Sequence, residues 1–129
     1  MRDLAAAIEV ELKRLDVVYR SMNFLNKILL FCTLPNGLTY DLSVCKDGSI
    51  RLWRFVGTTS ISKAGTRIEY RNPQCPDSAV GFEVTDEGDI CLYAENKIDF
   101  DNPHSIKSIC KLIEGYSSMI TNISFKMCP

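Results

Sequence analysis

Hydrophobic and polar positions along this chain follow two rhythms, one helical and one extended. Over residues 3–22, apolar side chains recur every three or four positions, which places them on one stripe of a helix. That stripe consists of Leu4, Ile8, Leu12, Leu15, Val18 or Tyr19, and Met22. The β-branched pair Val17 and Val18 marks one place where the helix would yield to extended chain. The pattern therefore predicts an N-terminal helix.

From residue 28 the period changes to two. Residues 28–34 alternate two sets of mostly apolar side chains, which predicts a strand largely covered on both faces. A turn at Asn36 and Gly37 leads to the next strand, whose inward positions are Leu38, Tyr40, Leu42 and Val44. A second turn at residues 46–48 leads to a third strand over residues 49–56, with Ile50, Leu52 and Val56 inward. These three strands form an antiparallel meander.

The C-terminal third predicts a hairpin followed by a helix. Val80, Phe82 and Val84 face inward before a turn at residues 86–89, and Ile90, Leu92 and Ala94 return on the same side. Asn102 is a good N-cap, and Pro103 suits the first helical position because a missing N–H costs nothing there. The apolar stripe of that helix is Ile106, Ile109, Cys110, Ile113, Tyr116 and Ile120.

The order of elements predicts one domain over residues 1–129. Residues 57–79 are rich in polar residues, glycine and proline, so they are predicted to be a loop; a short strand at residues 66–71 stays open. No second core follows that loop. The predicted fold class is α+β: an antiparallel sheet of five to six strands with the N- and C-terminal helices packed on one face.

The hairpin from Phe82 to Glu95, followed by a terminal helix, resembles the YbjN-like domain. That family shares the fold of type III secretion chaperones, and its hairpin matches residues 82–95 best, while the order of elements matches over the whole chain. The resemblance implies a non-enzymatic, chaperone-like domain that binds a protein segment. It implies no catalytic residues.

Composition narrows the function further. Fifteen basic and sixteen acidic residues give a formal charge of −1, which argues against a general nucleic-acid binder. The acidic N-terminal segment and the absence of a long apolar run predict a cytoplasmic protein without a membrane span. The six cysteines have no Cys-x-x-Cys spacing and the chain has a single histidine, so reduced thiols are expected, with no metal and no cofactor.

The main candidate site is the sheet face opposite the helices. If Ile50, Leu52 and Val56 point to the helices, then Arg51, Trp53 and Phe55 point away from them, and Tyr93 shares their parity on its own strand. Aromatic side chains beside an arginine are typical of protein interfaces, so a protein partner or self-association, as in a homodimer, is predicted here. Cover by the loop at residues 57–79 is the structural alternative. Single-stranded RNA stacking on the aromatic rings is a further one, disfavoured by the neutral charge.

A rival site lies before the last helix. Asp99 and Asp101, with Glu95 nearby and His104 at the helix start, carry groups that can bind a metal or a small ligand or act in acid–base catalysis. Acidic residues at this position also stabilise the helix dipole, which is the simpler explanation. The turn at residues 86–89 is too short for an EF-hand. No nucleophile motif is present, so the protein is predicted not to be an enzyme.

Overall fold

A computed structural model describes residues 2–71, 73, 78–102 and 104–127 of the chain. Two helices flank seven strands. The elements are α1 (Arg2–Arg14), β1 (Val18–Asn23), β2 (Lys27–Thr33), β3 (Thr39–Cys45), β4 (Ser49–Thr58), a short 3₁₀ turn (Ile61–Lys63), β5 (Arg67–Arg71), β6 (Ala79–Val84), β7 (Asp89–Lys97) and α2 (His104–Met127).

All the strands form one antiparallel sheet in the order β1-β2-β3-β4-β7-β6-β5. β2, β3 and β4 follow one another as the predicted meander, and β1, which the sequence does not predict, extends it by one strand. β4 then pairs with β7, so the last three strands extend the sheet in reverse order and leave β5 at the outer edge. The predicted α+β class is confirmed, with seven strands rather than five to six.

Both helices pack on one face of this sheet, as predicted. Leu30, Leu42 and Leu52 form a row across β2, β3 and β4, and all three side chains are buried. The helices cover this row with their own buried residues, which are Leu4, Ile8 and Leu12 of α1 and Ile109, Ile113, Tyr116 and Ile120 of α2. Tyr116 also donates a hydrogen bond of 2.6 Å from its hydroxyl to the main-chain oxygen of Leu92. One hydrophobic core therefore holds the two helices and the sheet together.

The first helix is shorter than its periodicity predicts. α1 ends at Arg14, and Asp16 adopts a left-handed conformation with φ of 57°. That residue redirects the chain, and the N–H of Val17 closes the helix end by donating to the oxygen of Leu12 at 2.9 Å. Val18 to Asn23 then form β1. The predicted helix over residues 3–22 is wrong beyond Arg14, although Val17 and Val18 do stand at the change to extended chain.

The start of α2 agrees with the prediction at its N-cap. The side-chain oxygen of Asn102 accepts a hydrogen bond of 3.0 Å from the N–H of His104. Pro103 lies outside the described residues. In the predicted apolar stripe Ile109, Ile113, Tyr116 and Ile120 are buried and Cys110 is half-buried, but Ile106 remains 36% exposed. The first turn of α2 therefore extends past the core. No helix in the described part of the chain is both long and apolar enough to cross a membrane.

We predict that Ile113→Ala lowers the free energy of unfolding by about 2–5 kcal/mol, because it opens a cavity in the core. Ile106→Ala is the matched control on the same helix, and its half-exposed side chain predicts a loss of about 1 kcal/mol or less. Urea unfolding followed by circular dichroism measures both. Equal losses for the two variants would contradict this placement of the core.

Candidate protein-interaction face

The strand register places the predicted site residues on one face of the sheet. Arg51 lies opposite Glu95, Trp53 opposite Tyr93, and Phe55 opposite Cys91 on the neighbouring strands β4 and β7. Side chains directly opposite one another point to the same side of a sheet. Arg51, Trp53, Phe55 and Tyr93 therefore share the face turned away from both helices, which we call the reverse face.

A single row of residues crosses the reverse face through all seven strands. It is formed by Arg20, Phe31, Asp41, Trp53, Tyr93, Gly81 and Glu69. The row changes character between Trp53 and Tyr93. On β1 to β4, the reverse-face residues next to this row are mostly apolar or small, with Arg51 as the exception. On β7, β6 and β5 they are mostly charged. The reverse face thus has two halves.

The charged half consists of three arginines and three glutamates around one tyrosine. Arg51 pairs with Glu83 and, at 3.2 Å, with Glu95. Arg67 bridges Glu69 at 2.8 Å and Glu95 at 3.2 Å. Arg71 pairs with Glu69 at 2.9 Å. Each arginine of this half is thus neutralised by a glutamate within the chain.

Tyr93 lies at the centre of these pairs and is completely buried. The guanidinium carbons of Arg51 and Arg67 lie 5.2 Å and 4.6 Å from the centre of its ring, within the range of cation–π attraction. The hydroxyl of Tyr93 donates to Glu69 at 2.8 Å and accepts from Arg67 at 2.7 Å. The sequence predicts the face on which Tyr93 lies but not this cover. The ring therefore has no exposed surface that a partner could contact.

Gly81 allows β5 to come close enough to provide that cover. A Cβ at this position would overlap the main-chain oxygen of Ile68. Only glycine permits such an approach between β6 and β5, and the approach carries Arg67 and Glu69 over the ring of Tyr93.

Electrostatics within the charged half follow from these contacts. The hydrogen bond from Tyr93, with further help from Arg67 and Arg71, lowers the pKa of Glu69. Burial, followed by the hydrogen bond to Glu69, raises the pKa of Tyr93. Near neutral pH, Glu69 is therefore held as a carboxylate and Tyr93 as a neutral phenol, which are the forms that the hydrogen bond requires.

The other half of the reverse face, which we call the open half, exposes large apolar side chains. It comprises Val18 and Met22 on β1, Phe31 on β2, and Trp53 and Phe55 on β4. Val18 is 72% exposed and Phe55 is 54% exposed, whereas Trp53 is half-buried. The prediction that β2 is covered on both faces is wrong, because Phe31 and Thr33 are exposed.

Next to these apolar groups, β1 carries the basic side chain of Arg20 and β3 carries an acidic one, Asp41. It lies between Phe31 and Trp53 in the row, and burial raises the pKa of its carboxyl group. The carboxylate has no hydrogen bond or ion pair to any described residue. A groove of about 380 Å³ runs beside it, lined in part by Trp53, Phe55 and Asp89. Asp41, Phe31, Val18 and Met22 were missed as site residues, although extending the parity of Trp53 to the neighbouring strands identifies them.

The rival site before α2 does not come together as one cluster. Asp99, Asp101 and His104 are exposed, and the Asp99 carboxylate accepts the N–H of Asp101 at 2.9 Å. Glu95 lies on the reverse face, bound to Arg51 and Arg67. Within residues 2–71, 73, 78–102 and 104–127, no group of three or more histidine, cysteine or acidic side chains is placed to hold a metal ion.

The turn and the cysteines have simple structural roles. The N–H of Gly88, with φ of 81°, donates to Thr85 at 3.0 Å and closes the hairpin between β6 and β7, as the sequence predicts for residues 86–89. Cys32, Cys45, Cys91 and Cys110 are free thiols. Burial raises the pKa of Cys32 to about 12, which keeps that thiol protonated and unreactive. Cys75 and Cys128 lie outside the described residues.

Comparison of the chain with protein-family models, with curated proteins and with solved structures finds no match. The YbjN-like resemblance therefore stays a prediction from the hairpin and the order of elements.

We predict that Glu69→Gln reduces the pH dependence of stability in acid. A carboxyl group whose pKa is lowered by folding stabilises the protein above its unfolded pKa, and that contribution is lost as the pH falls through its folded pKa. The wild type should therefore lose more unfolding free energy than Glu69→Gln between about pH 6 and pH 3.

Urea unfolding across this pH range measures the difference. Glu87→Gln, in the exposed turn after β6, is the control and should follow the wild type. Identical pH profiles for Glu69→Gln and the wild type would show that the Tyr93–Glu69 contact does not contribute to stability.

Proposed function

We propose that this protein is a non-enzymatic interaction module that binds a protein partner through the open half of its reverse face. The observation that supports the proposal is the exposure of Val18, Met22, Phe31 and Phe55 on one side of the sheet. Apolar side chains grouped on a surface favour burial against another molecule. Trp53 and Phe55 are of the residue class that dominates the binding energy of interfaces.

The chain's own loop does not take this place among the described residues. After β4, the N–H of Thr59 donates to the oxygen of Gly88 and the N–H of Gly65 donates to the oxygen of Val84. The segment between β4 and β5 is thereby held against the end of the β6–β7 hairpin. It lies beside β7, β6 and β5 rather than over β1 to β3.

Asp41 specifies the chemistry of the partner. A half-buried carboxylate without a counter-ion, flanked by Phe31 and Trp53, is complementary to a lysine or arginine within an apolar segment. The charged half repels neither sign strongly, because its arginines and glutamates neutralise one another. The preferred partner is therefore an apolar segment with a basic side chain at its centre.

The resemblance to the YbjN-like domain supports the same conclusion, since it implies a chaperone-like domain that binds protein segments. We place the protein in the cytoplasm on the grounds of its sequence and propose no cofactor. RNA binding is the weaker hypothesis, because the arginines of the reverse face at positions 51, 67 and 71 are paired with glutamates.

We predict that Phe55→Asp abolishes capture of the partner without unfolding the chain. Phe55 is exposed, so its replacement removes contact area from the open half while leaving the core intact. Tagged wild type, Phe55→Asp and the control Ile61→Asp are used to capture proteins from native cytosol. Ile61 is 69% exposed but lies in the 3₁₀ turn, away from the open half.

A partner retained by the wild type and by Ile61→Asp, and lost by Phe55→Asp, is then purified and titrated. The Kd should rise at least about tenfold for Phe55→Asp, which is the loss expected at an aromatic hot spot. Equal affinity for all three proteins would contradict binding through the open half.

We predict that Asp41→Asn weakens binding to the same partner and reduces its salt dependence. The substitution keeps the size of the side chain but removes the charge that attracts the basic group. Titrations at low and high ionic strength measure both effects. A salt dependence equal to that of the wild type would show that Asp41 does not face a basic side chain.

A further inference from the structure

We propose that two copies of the chain associate through the edge strand β5, antiparallel and centred on Ile68. This edge is separate from the open half, so the dimer does not depend on the proposed function. β5 has one strand neighbour, β6, and its other edge carries no strand in the described structure. All five of its residues are exposed.

The main chain of β5 is set for pairing at this edge. The N–H of Val84 donates to the oxygen of Thr66 at 2.9 Å. This bond shows which residues of β5 form main-chain hydrogen bonds with β6. Because hydrogen-bonding groups alternate in direction along a strand, Ile68 and Tyr70 direct theirs to β6. Arg67 and Glu69 direct theirs outward, away from β6. Unpaired groups of this kind are the template to which another strand adds.

Apolar surface accompanies these groups on the helix side of the sheet. Ile68 is 69% exposed and Tyr70 is 64% exposed, and Phe82, opposite Ile68 on β6, is 36% exposed. These side chains lie on the sheet beyond β7, where the helices leave them uncovered. A second β5 strand would extend the sheet and bury part of this surface.

Charge complementarity points to a second copy as the occupant and selects the register. Arg67, Glu69 and Arg71 alternate in sign, so an antiparallel copy centred on Glu69 would place Glu69 opposite Glu69 and Arg67 opposite Arg71. Centring on Ile68 instead places Arg67 opposite Glu69 of the second copy, twice by symmetry. Opposite charges across a strand pair are favourable and like charges are not.

A third register, centred on Tyr70, is also complementary in charge, but one of its main-chain hydrogen bonds cannot form. It would place Pro73 opposite Arg67, where an N–H is required and proline has none. β1, at the opposite edge of the sheet, has no alternation of charge that could select a register, because Arg20 is its single charged residue. These comparisons favour the Ile68 register. The resulting dimer carries both open halves on the same side of a continuous sheet.

The register is tested by disulfide formation. In the Ile68 register the two Ile68 residues form a non-hydrogen-bonded pair with Cα atoms about 4.5 Å apart, a separation that a disulfide spans. Ile68→Cys should therefore cross-link two chains under mild oxidation. Tyr70→Cys, which lies opposite Thr66 of the second copy, should not, and the wild type controls for the native cysteines. Cross-linking of Tyr70→Cys to the same extent, or of neither variant, would overturn the proposal.

Association is tested by light scattering over a concentration series. The wild type should approach the mass of a dimer, and Ile68→Lys should raise the dimer Kd at least about tenfold, because two lysines would meet at the symmetry axis. Val10→Lys is the control, because Val10 is an equally exposed aliphatic residue on α1, away from β5, and this variant should dimerise as the wild type does. A wild type that stays monomeric up to about 1 mM, or equal Kd values for the two lysine variants, would overturn the proposal.

Discussion

The pairing of β4 with β7 decides how the whole sheet is assembled. It joins the meander of β1 to β4 to the second set of strands, and it aligns Leu52 with Ala94 on one face and Trp53 with Tyr93 on the other. Because side chains alternate along a strand, this register decides which residues can be buried by the helices. Both helices cover the Leu52 face, so no helix of the described chain covers the side chains of the Trp53 face.

The two halves of the reverse face differ in how their side chains are covered. Around Tyr93, the long side chains of Arg51 and Arg67 lie over an aromatic ring while glutamates neutralise their charge, so a polar layer replaces a covering helix. Between β1 and β4, most side chains of this face are short or apolar and provide no such layer, and Phe31 and Phe55 remain exposed. Among the described residues, no helix covers either half of this face. Charged side chains cover one half, and the apolar side chains of the other half stay exposed.

The sequence predicts those features that depend on local pattern, and it misses those that depend on distant residues. Two-residue alternation identified the strands of the meander and the shared face of Arg51, Trp53 and Phe55. The helical spacing of Tyr19 and Met22 was misleading, because pairing with β2 decides the structure of that segment. The burial of Tyr93 was not predictable either, since its cover comes from Arg51 and Arg67, which lie far from it in sequence and reach it only through the pairing of β4, β7, β6 and β5.

Hydroxyl-radical footprinting of the isolated protein at low concentration tests the division of the reverse face most directly. Peptide mapping would resolve the oxidation rates of Phe31, Phe55 and Tyr93. We expect rapid modification of Phe31 and Phe55, and protection of Tyr93 that is lost only on unfolding. If folded Tyr93 were modified as fast as Phe55, the charged half would not cover its ring.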